Sequence, residues 1–350
     1  MTSSTGNPQI VRVPTHVITG FLGVGKTSAI LHLLRNKPAS ERWAVLVNEF
    51  GEIGVDGELF QGQYTEQGGV FIRELPGGCM CCAAGVPMQV VLNQLLARAR
   101  PDRLLIEPTG LGHPAEVVEV LTEDHYHEVL ALQKVVTLVD ARKLKDERYT
   151  GHETFNQQIS IADLIVGNKR DLYQPEDEAA LERYARQVGK HGVTVLFTEQ
   201  GVMDLSWLEG RASRSLTSCG HSHNAEIHLH AEPGPSTRHA GNEDDLLPKK
   251  IFPAFQIASA INEGAGYRSI GWRFPQELRF DYKKLYLLLS GMKVERMKAV
   301  FITDRGQFGF NLTLDALSQH QLDGCTESRV EIINDTLDAE WERALLDCLI

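Results

Sequence analysis

Short apolar runs alternate with helical repeats of apolar residues through the first two hundred positions of the chain. The strand-like runs cover residues 10–19, 43–47, 103–106, 135–139, 164–166 and 193–197. Apolar residues recur at helical spacing in 28–34, 93–100, 115–121 and 176–188. This alternation predicts the α/β class: a mostly parallel sheet flanked by helices, with ligands at the carboxyl ends of its strands.

The pattern changes between residues 206 and 248, where Ser, Gly, Pro, His and acidic residues dominate and no apolar period remains. Such a composition is typical of a flexible linker. Beyond it, strand-like runs return at 269–274, 297–302, 308–312 and 329–333, with helical repeats at 282–289 and 339–349. We therefore predict a first domain over residues 1–205, a His-rich linker over 206–248, and a small C-terminal α+β domain over 249–350.

Composition narrows the class of protein further. A chain of 350 residues exceeds the usual size of one domain, and 42% hydrophobic residues suffice to bury a core. The net charge of -11 argues against a general binder of nucleic acids or anionic membranes. Residues 1–9 do not resemble a signal peptide, and no apolar run is long enough to span a bilayer. These features predict a cytoplasmic protein.

The chemistry begins at Gly20, where eight residues, GFLGVGKT, match the phosphate-binding pattern G-x-x-x-x-G-K-[ST] between a strand and a helix. We expect Lys26 to reach the β- and γ-phosphates and Thr27 to bind Mg²⁺. The other nucleotide-binding candidates of this segment are Gly20, Gly23, Val24, Gly25 and Ser28. A glycine-rich turn before an ordinary helix is the alternative. The motif and its context favour a nucleoside triphosphate.

A second nucleotide signal is the tetrad Asn168-Lys169-Arg170-Asp171, which follows an apolar strand and matches N-K-x-D. The Asp171 carboxylate would accept the N1–H and amino hydrogens of guanine, whereas adenine offers an acceptor there. We predict GTP and GDP as ligands, with Asn168, Lys169 and Asp171 as base-site residues. The alternative is a charged turn that closes a strand.

Two acidic residues at strand ends compete for a role at the phosphates. Glu107 begins E-P-T-G, in which the backbone N–H of Gly110 would meet the γ-phosphate. We predict that Glu107 holds Mg²⁺ or orients the attacking water, so that Lys26, Thr27 and Glu107 form the catalytic set. Asp140 is the rival, although an Asp in such a place often only begins the next helix.

The segment of residues 48–56, NEFGEIGVD, is rich in acids and glycines and follows the second strand. Such a segment can become ordered around a γ-phosphate and relax after hydrolysis. A solvated loop is the alternative.

Three of the six cysteines crowd into Gly-Gly-Cys79-Met-Cys81-Cys82. Thiolates bind borderline ions such as Zn²⁺, and three of them leave an exchangeable fourth position. Glu52 or His127 would complete the set, and Thr27 contributes only to the Mg²⁺ site. A redox dithiol and unrelated core cysteines are the alternatives.

Histidines form a second metal-seeking feature within the linker. The residues are Cys219, His221, His223, His228 and His230. Alternating histidines in an acidic segment would bind divalent ions loosely, although a His-rich loop without a role fits equally. We expect His32 and His113 to be structural.

Together these motifs resemble the CobW-like metallochaperone GTPases, a group of P-loop GTPases that deliver zinc, cobalt or iron. The resemblance rests on the phosphate loop, VNEFGEIGVD, GGCMCC, LLIEPTGLGHP, VVTLVDA and the base-reading tetrad, and on GYRSIGWRF, ERMKAVF and ESRVEII near the C-terminus. In detail it is closest to the YeiR-like zinc-binding subgroup. It covers nearly the whole chain.

The resemblance implies a P-loop GTPase domain over residues 1–205, Mg²⁺ bound with GTP, and zinc on Cys79, Cys81 and Cys82. It also implies a client metalloprotein and a metal-dependent homo-oligomer as partners. The sequence departs from the pattern at Asn168, where many members have Thr. It also has Val47 where some members carry an acidic metal ligand, which leaves the cysteines as the core of the site.

The residues therefore indicate a zinc-binding GTPase that couples its nucleotide state to metal delivery. A nucleotide-dependent enzyme with a structural or redox cysteine site is the alternative. The two differ in whether the bound nucleotide changes the zinc affinity.

Overall fold

The chain forms two β-sheets, each with its own helices. The computed structural model describes residues 10–47, 66–75, 86–213, 250–252, 257–264, 266–322 and 324–350. Within these residues, the first sheet contains seven parallel strands in the order β3-β2-β4-β1-β5-β6-β7. The strands are β1 (Val13–Gly20), β2 (Trp43–Val47), β3 (Val70–Glu74), β4 (Arg103–Glu107), β5 (Leu130–Val139), β6 (Leu164–Gly167) and β7 (Thr194–Phe197).

Helices cover both faces of this sheet. They are α1 (Lys26–Arg35), α2 (Val86–Ala99), α3 (Pro114–Leu121), α4 (Glu147–Thr150), α5 (Glu153–Ser160) and α6 (Asp177–Val188). One apolar cluster joins the sheet to α1, α5 and α6, and a second joins the opposite face to α2 and α3. Because both faces are covered, strands such as β2 are buried at every position, which explains their continuous apolar runs.

Strand β1 lies at the topological switch point of the sheet. Its neighbours are β4 on one side and β5 on the other. The connection after β1 runs to β2 on one side and the connection after β5 runs to β6 on the other, so a crevice opens at the carboxyl end of β1. The sequence from Gly20 to Thr27 begins at this point. The fold therefore places the predicted phosphate loop where parallel sheets bind ligands.

In the described part of the C-terminal region, the second sheet contains seven antiparallel strands in the order β13-β12-β11-β14-β10-β9-β8. The strands are β8 (Lys250–Phe252), β9 (Ile257–Gly264), β10 (Tyr267–Phe274), β11 (Arg296–Thr303), β12 (Gly306–Thr313), β13 (Leu317–Leu322) and β14 (Ser328–Asn334). Helices α7 (Tyr282–Gly291) and α8 (Glu340–Leu346) accompany it. Its own apolar cluster includes Trp272, Phe280, Phe301 and Leu345.

The predicted fold class is confirmed: a parallel P-loop sheet with flanking helices precedes a smaller α+β unit. The contacts of the first sheet continue past residue 205, because Leu208 is buried and the Lys134 N–H donates to the Gly210 carbonyl at 2.9 Å. The described helices include none that is long and apolar enough to cross a membrane.

Candidate nucleotide site

Two glycines shape the loop between β1 and α1. Gly20 has a φ of 143°, and an added Cβ would lie 2.4 Å from the Leu138 carbonyl oxygen. Gly25 has a φ of 97°, and an added Cβ would lie 2.5 Å from Asn168 Nδ2. Gly25 is also the N-cap residue of α1, and no side chain caps this helix end. Because glycine has no side chain to cap the helix, the N-terminus of α1 suits a phosphate as its partner.

Lys26 and Thr27 begin α1, and both are buried. The ammonium of Lys26 donates to the Phe21 carbonyl at 3.3 Å, which holds it over the phosphate loop. The hydroxyl of Thr27 donates to Glu107 Oε1 at 3.0 Å, and Glu107 is only 1% exposed. A hydroxyl beside a carboxylate is an oxygen donor set that Mg²⁺ prefers. The residues present therefore fit the ion that the sequence predicts.

Asp140, the rival of Glu107, has a different set of partners. Its carboxylate accepts hydrogen bonds from the backbone N–H of Arg142 at 3.2 Å and from the guanidinium at 2.6 and 2.9 Å. It thus begins the 3-10 turn that follows β5. The structure places Glu107, and not Asp140, on the Thr27 hydroxyl.

Gly110 lies directly beside the phosphate loop. A Cβ added there would be 3.0 Å from Lys26 Nζ and 3.1 Å from the backbone nitrogen of Leu22. The side chain of Gln158 stabilises this turn, because its Nε2 donates to the Gly110 carbonyl at 3.0 Å. The position suits the contact with a terminal phosphate that the E-x-x-G pattern predicts.

Asn168 connects the base-reading tetrad to the phosphate loop. Its Nδ2 donates to the Val24 carbonyl at 2.8 Å, and its Oδ1 accepts from the Gly201 N–H at 3.1 Å. Asn168 is 2% exposed, so both bonds are buried. The tetrad and the phosphate loop are therefore held in one frame, together with the loop after β7.

Lys169 and Asp171 of the tetrad line an open cavity. Lys169 has a φ of 63°, which turns the chain sharply after Asn168. Asp171 is exposed, and its Oδ2 is 3.5 Å from Gln200 Nε2. Gln200 was not predicted from the sequence, although its place in a polar turn directly after β7 is a usable signal. Asp171 and Gln200 both line the cavity where a base would enter.

This cavity has a volume of about 560 Å³. That value lies within the range of small-molecule sites, roughly 300 to 1,000 Å³. One wall comes from Gly25, Lys26, Thr27, Asn168 and Asp171. The opposite wall comes from the second sheet, with Arg296, Lys298, Asn311 and Thr313, and from the turn between β12 and β13, with Asp315. Arg296 and Lys298 belong to ERMKAVF, one of the segments that carry the family resemblance, but nothing in its spacing indicates that these residues line a cavity.

At the phosphate end of the cavity, the two walls are in direct contact. The ammonium of Lys298, on β11, donates to Thr27 Oγ1 at 2.9 Å. Lys298 is 4% exposed. The hydroxyl that the sequence assigns to a cation thus already accepts a hydrogen bond from the second sheet.

Asp315 ties the second sheet to the base-reading tetrad. Its carboxylate accepts two hydrogen bonds from the Arg142 guanidinium at 2.8 Å each and one from Lys169 Nζ at 2.7 Å. The bonds from Arg142, followed by those from Lys169, hold the pKa of Asp315 far below its usual range despite partial burial. The sheet therefore contacts the cavity at both its phosphate end and its base end.

The predicted zinc ligands Cys79, Cys81, Cys82 and Glu52 lie outside the described residues, as do residues 48–56 and the Cys219 to His230 cluster. The described residues contain no group of three or more His, Cys, Asp and Glu side chains that would hold a metal. The zinc site therefore stays a prediction from the sequence.

The three histidines that the sequence analysis considers and the structure describes, His32, His113 and His127, have different contacts. The ring of His127 is exposed, with its Nδ1 3.8 Å from Asp124, near the start of β5. His32 accepts the Met203 N–H on Nδ1 at 3.2 Å, and His113 Nδ1 is 2.8 Å from Gln157 Oε1. Their contacts agree with structural roles for His32 and His113.

Comparison with known proteins places the chain in a family. The sequence profile described as "CobW/HypB/UreG, nucleotide-binding domain" matches residues 14–195, which include the loop at Gly20 and the tetrad at Asn168. The chain belongs to the CobW/HypB/UreG family. It is thus a P-loop GTPase, and the predicted resemblance is confirmed.

The similarity to two relatives in the family extends beyond the nucleotide-binding domain. The chain is 38% identical to the zinc chaperone YeiR of Escherichia coli over 93% of this chain and 94% of that protein. It is 30% identical to the zinc chaperone CobW of Pseudomonas aeruginosa over 75% of this chain and 73% of that protein. It is 35% identical to the zinc chaperone YjiA of Escherichia coli over 49% of this chain and 53% of that protein.

Proposed function

We propose that this protein is a metallochaperone that hydrolyses GTP to GDP and phosphate and couples its nucleotide state to the binding and delivery of zinc. The observation that carries the proposal is the hydrogen bond between Thr27 and Glu107, at the phosphate end of a cavity whose base end carries Asp171. The length of the match to a zinc chaperone supports the choice of metal.

Each part of the cavity has a proposed task in hydrolysis. The helix N-terminus and Lys26 bind the β- and γ-phosphates, and Thr27 and Glu107 hold Mg²⁺. Bound Mg²⁺ neutralises the charge that develops on the phosphates. Glu107 also orients the attacking water, directly or through a second water. Glu107 is the only residue that the sequence motifs assign to this water, so we expect slow intrinsic turnover that zinc or a client protein raises.

Asp171 gives a direct test of the base. We expect Asp171→Asn to weaken GTP binding by about 10²-fold, because a charged acceptor for two guanine hydrogens is lost. The same variant should bind xanthosine triphosphate better than the unsubstituted protein does, since the new amide donates to the xanthine 2-oxygen. Equilibrium binding of both nucleotides measures the change.

The control for Asp171 is Asp124→Asn, which changes the same residue type at a fully exposed site. It should leave both affinities unchanged. If Asp171→Asn binds GTP as tightly as the unsubstituted protein, the tetrad does not read guanine.

In the first sheet, the strand that precedes the predicted metal segment lies close to Glu107. Val47 is the register partner of Glu74 on one side and of Glu107 on the other. Adjacent strands lie about 4.8 Å apart, so the backbones of Glu74 and Glu107 are roughly 10 Å apart across the sheet. Cys79 follows Glu74 by five residues, a reach of at most about 18 Å. This proximity supports a coupling between the two sites.

Residues 48–56 supply the proposed connection. In the sequence they directly follow Val47, the register partner of Glu107, and they include Glu52. Bound GTP would order this segment and move Glu52 relative to the thiolates. Loss or gain of one ligand changes a binding constant by tenfold for each roughly 1.4 kcal/mol.

The coupling is tested by the zinc affinity of the purified protein with and without a non-hydrolysable GTP analogue. We expect at least a tenfold difference, because one ligand is gained or lost, and GDP should restore the nucleotide-free value. Competition with a chelating dye measures the affinity. The control is Lys26→Met, which should bind zinc but show no response to the analogue.

Equal zinc affinities in all nucleotide states would contradict the delivery function and favour a fixed cysteine site. A persistent disulfide among Cys79, Cys81 and Cys82, seen by intact mass in freshly isolated protein, would favour the redox alternative. We propose the cytoplasm as the compartment, where thiols stay reduced. A client metalloprotein and a second copy of the chain are the proposed partners.

A further inference from the structure

The C-terminal sheet places a positive charge where the phosphate loop is expected to bind its metal. Lys298 Nζ donates to Thr27 Oγ1 at 2.9 Å, and Thr27 Oγ1 donates to Glu107 Oε1 at 3.0 Å. All three residues are buried, with exposures of 4%, 9% and 1%. A buried ammonium beside a hydroxyl and a carboxylate is a stand-in for a bound cation.

The position of Lys298 is fixed by its strand. It lies on β11, between β12 and β14, with Asn311 and Glu331 as its register partners. Further contacts hold this face of the sheet against the phosphate domain. Arg148 bonds Glu295 at 3.1 Å, and the ring of Tyr267 meets that of Phe21 edge to face. The ammonium therefore contacts Thr27 from a strand that is held in place by other contacts with the first domain.

Lys298 and Mg²⁺ would use the same oxygen. The Thr27 hydroxyl donates its hydrogen bond to Glu107, and Lys298 occupies one of the two lone pairs of the same oxygen, so a metal would have to share that oxygen with the ammonium. A divalent ion on this oxygen would also lie only a few ångström from the ammonium, and two positive charges at that distance repel strongly in a buried site. One cation must therefore leave when the other arrives.

We propose that Lys298 is an internal competitor of Mg²⁺ at the Thr27–Glu107 pair, so that binding of Mg²⁺ with GTP detaches this lysine of the C-terminal sheet from the phosphate loop. The inference rests on the proposed GTPase function and adds a regulatory role for the second domain. Lys298 is a positioning residue in this scheme, because it contacts Thr27 and acts on metal binding through it.

The test is the Mg²⁺ concentration that half-saturates binding of a fluorescent non-hydrolysable GTP analogue, measured in the full chain without turnover. We expect Lys298→Met, which keeps much of the side-chain length but removes the charge, to lower this concentration by about five- to tenfold. Lys298→Gln should behave in the same way, and Lys298→Arg, which keeps the charge, should stay near the unsubstituted value. Thermal melting without nucleotide verifies that each variant folds.

Lys283→Met is the matched control, because Lys283 is exposed on α7 and does not line the cavity. An unchanged Mg²⁺ requirement in both neutral variants would overturn the proposal. A raised requirement would also overturn it and would make Lys298 a ligand of the nucleotide. If the unsubstituted protein shows no Mg²⁺-dependent binding of the analogue, the proposed GTPase function fails as well.

Discussion

Lys26→Met is expected to reduce GTP hydrolysis by about 10²- to 10³-fold in kcat/KM, because the variant loses the charge that stabilises the phosphates in the transition state. Lys26 is the first residue of α1, and its ammonium already lies over the phosphate loop at 3.3 Å from the Phe21 carbonyl. Phosphate release at saturating and subsaturating GTP measures the loss.

The folded state itself should tolerate this change. Methionine keeps the aliphatic length of Lys26 and removes a buried charge, so the melting temperature without nucleotide should fall little or rise. What should disappear is the stabilisation by added GTP, which reports binding to the native state. Lys283→Met, at an exposed site on α7, should keep both hydrolysis and the stabilisation. Hydrolysis within about threefold of the unsubstituted rate would show that Lys26 does not act on the phosphates.

The features of the first domain that the sequence predicts are those with local causes. The phosphate loop is recognisable because Gly20 and Gly25 take positive φ angles that other residues rarely adopt. Strand β2 is recognisable because both faces of the sheet are covered, which makes Trp43–Val47 apolar at every position. The spacing of residue types is enough to predict an element when the residues that determine it are neighbours in the sequence.

Elements that mix polar and apolar residues are harder to predict from the sequence. Strand β3 (Val70–Glu74) ends in Arg73 and Glu74 and is only five residues long, so it carries no clear apolar repeat. Helix α5 (Glu153–Ser160) buries Phe155 and Ile159 but also Thr154 and Gln158, and its polar composition conceals the buried face. Only the tertiary context determines the secondary structure of such segments, because the burial of their side chains depends on which elements pack over them.

The second wall of the cavity is the largest feature that sequence reasoning misses. Lys298 lies 271 positions after Thr27, and Asp315 lies 146 positions after Lys169, so no spacing rule relates them. In an isolated strand, a lysine such as Lys298 is expected to face solvent. The packing of one sheet against the other domain turns it into a buried contact of the nucleotide site.

Cys81→Ala is expected to weaken zinc binding by about 10²- to 10³-fold, the largest effect predicted for the metal segment. Thiolate-rich zinc sites with four ligands are worth about 10 to 16 kcal/mol, so one ligand contributes roughly 2.5 to 4 kcal/mol. Cys79 and Cys82 would remain, and two thiolates cannot close a tetrahedral site alone. Competition between the protein and chelators of graded affinity measures the change.

Cys325→Ala is the matched control, since this thiol lies between β13 and β14 and outside the cluster. It should leave the zinc affinity within about twofold of the unsubstituted value. Cys81→Ala should also retain affinity for the GTP analogue, because the phosphate loop, Glu107 and Asp171 do not depend on the thiol. Zinc affinity that survives the loss of Cys81 would move the metal site elsewhere. Loss of GTP affinity together with zinc would indicate that the cysteines stabilise the nucleotide domain.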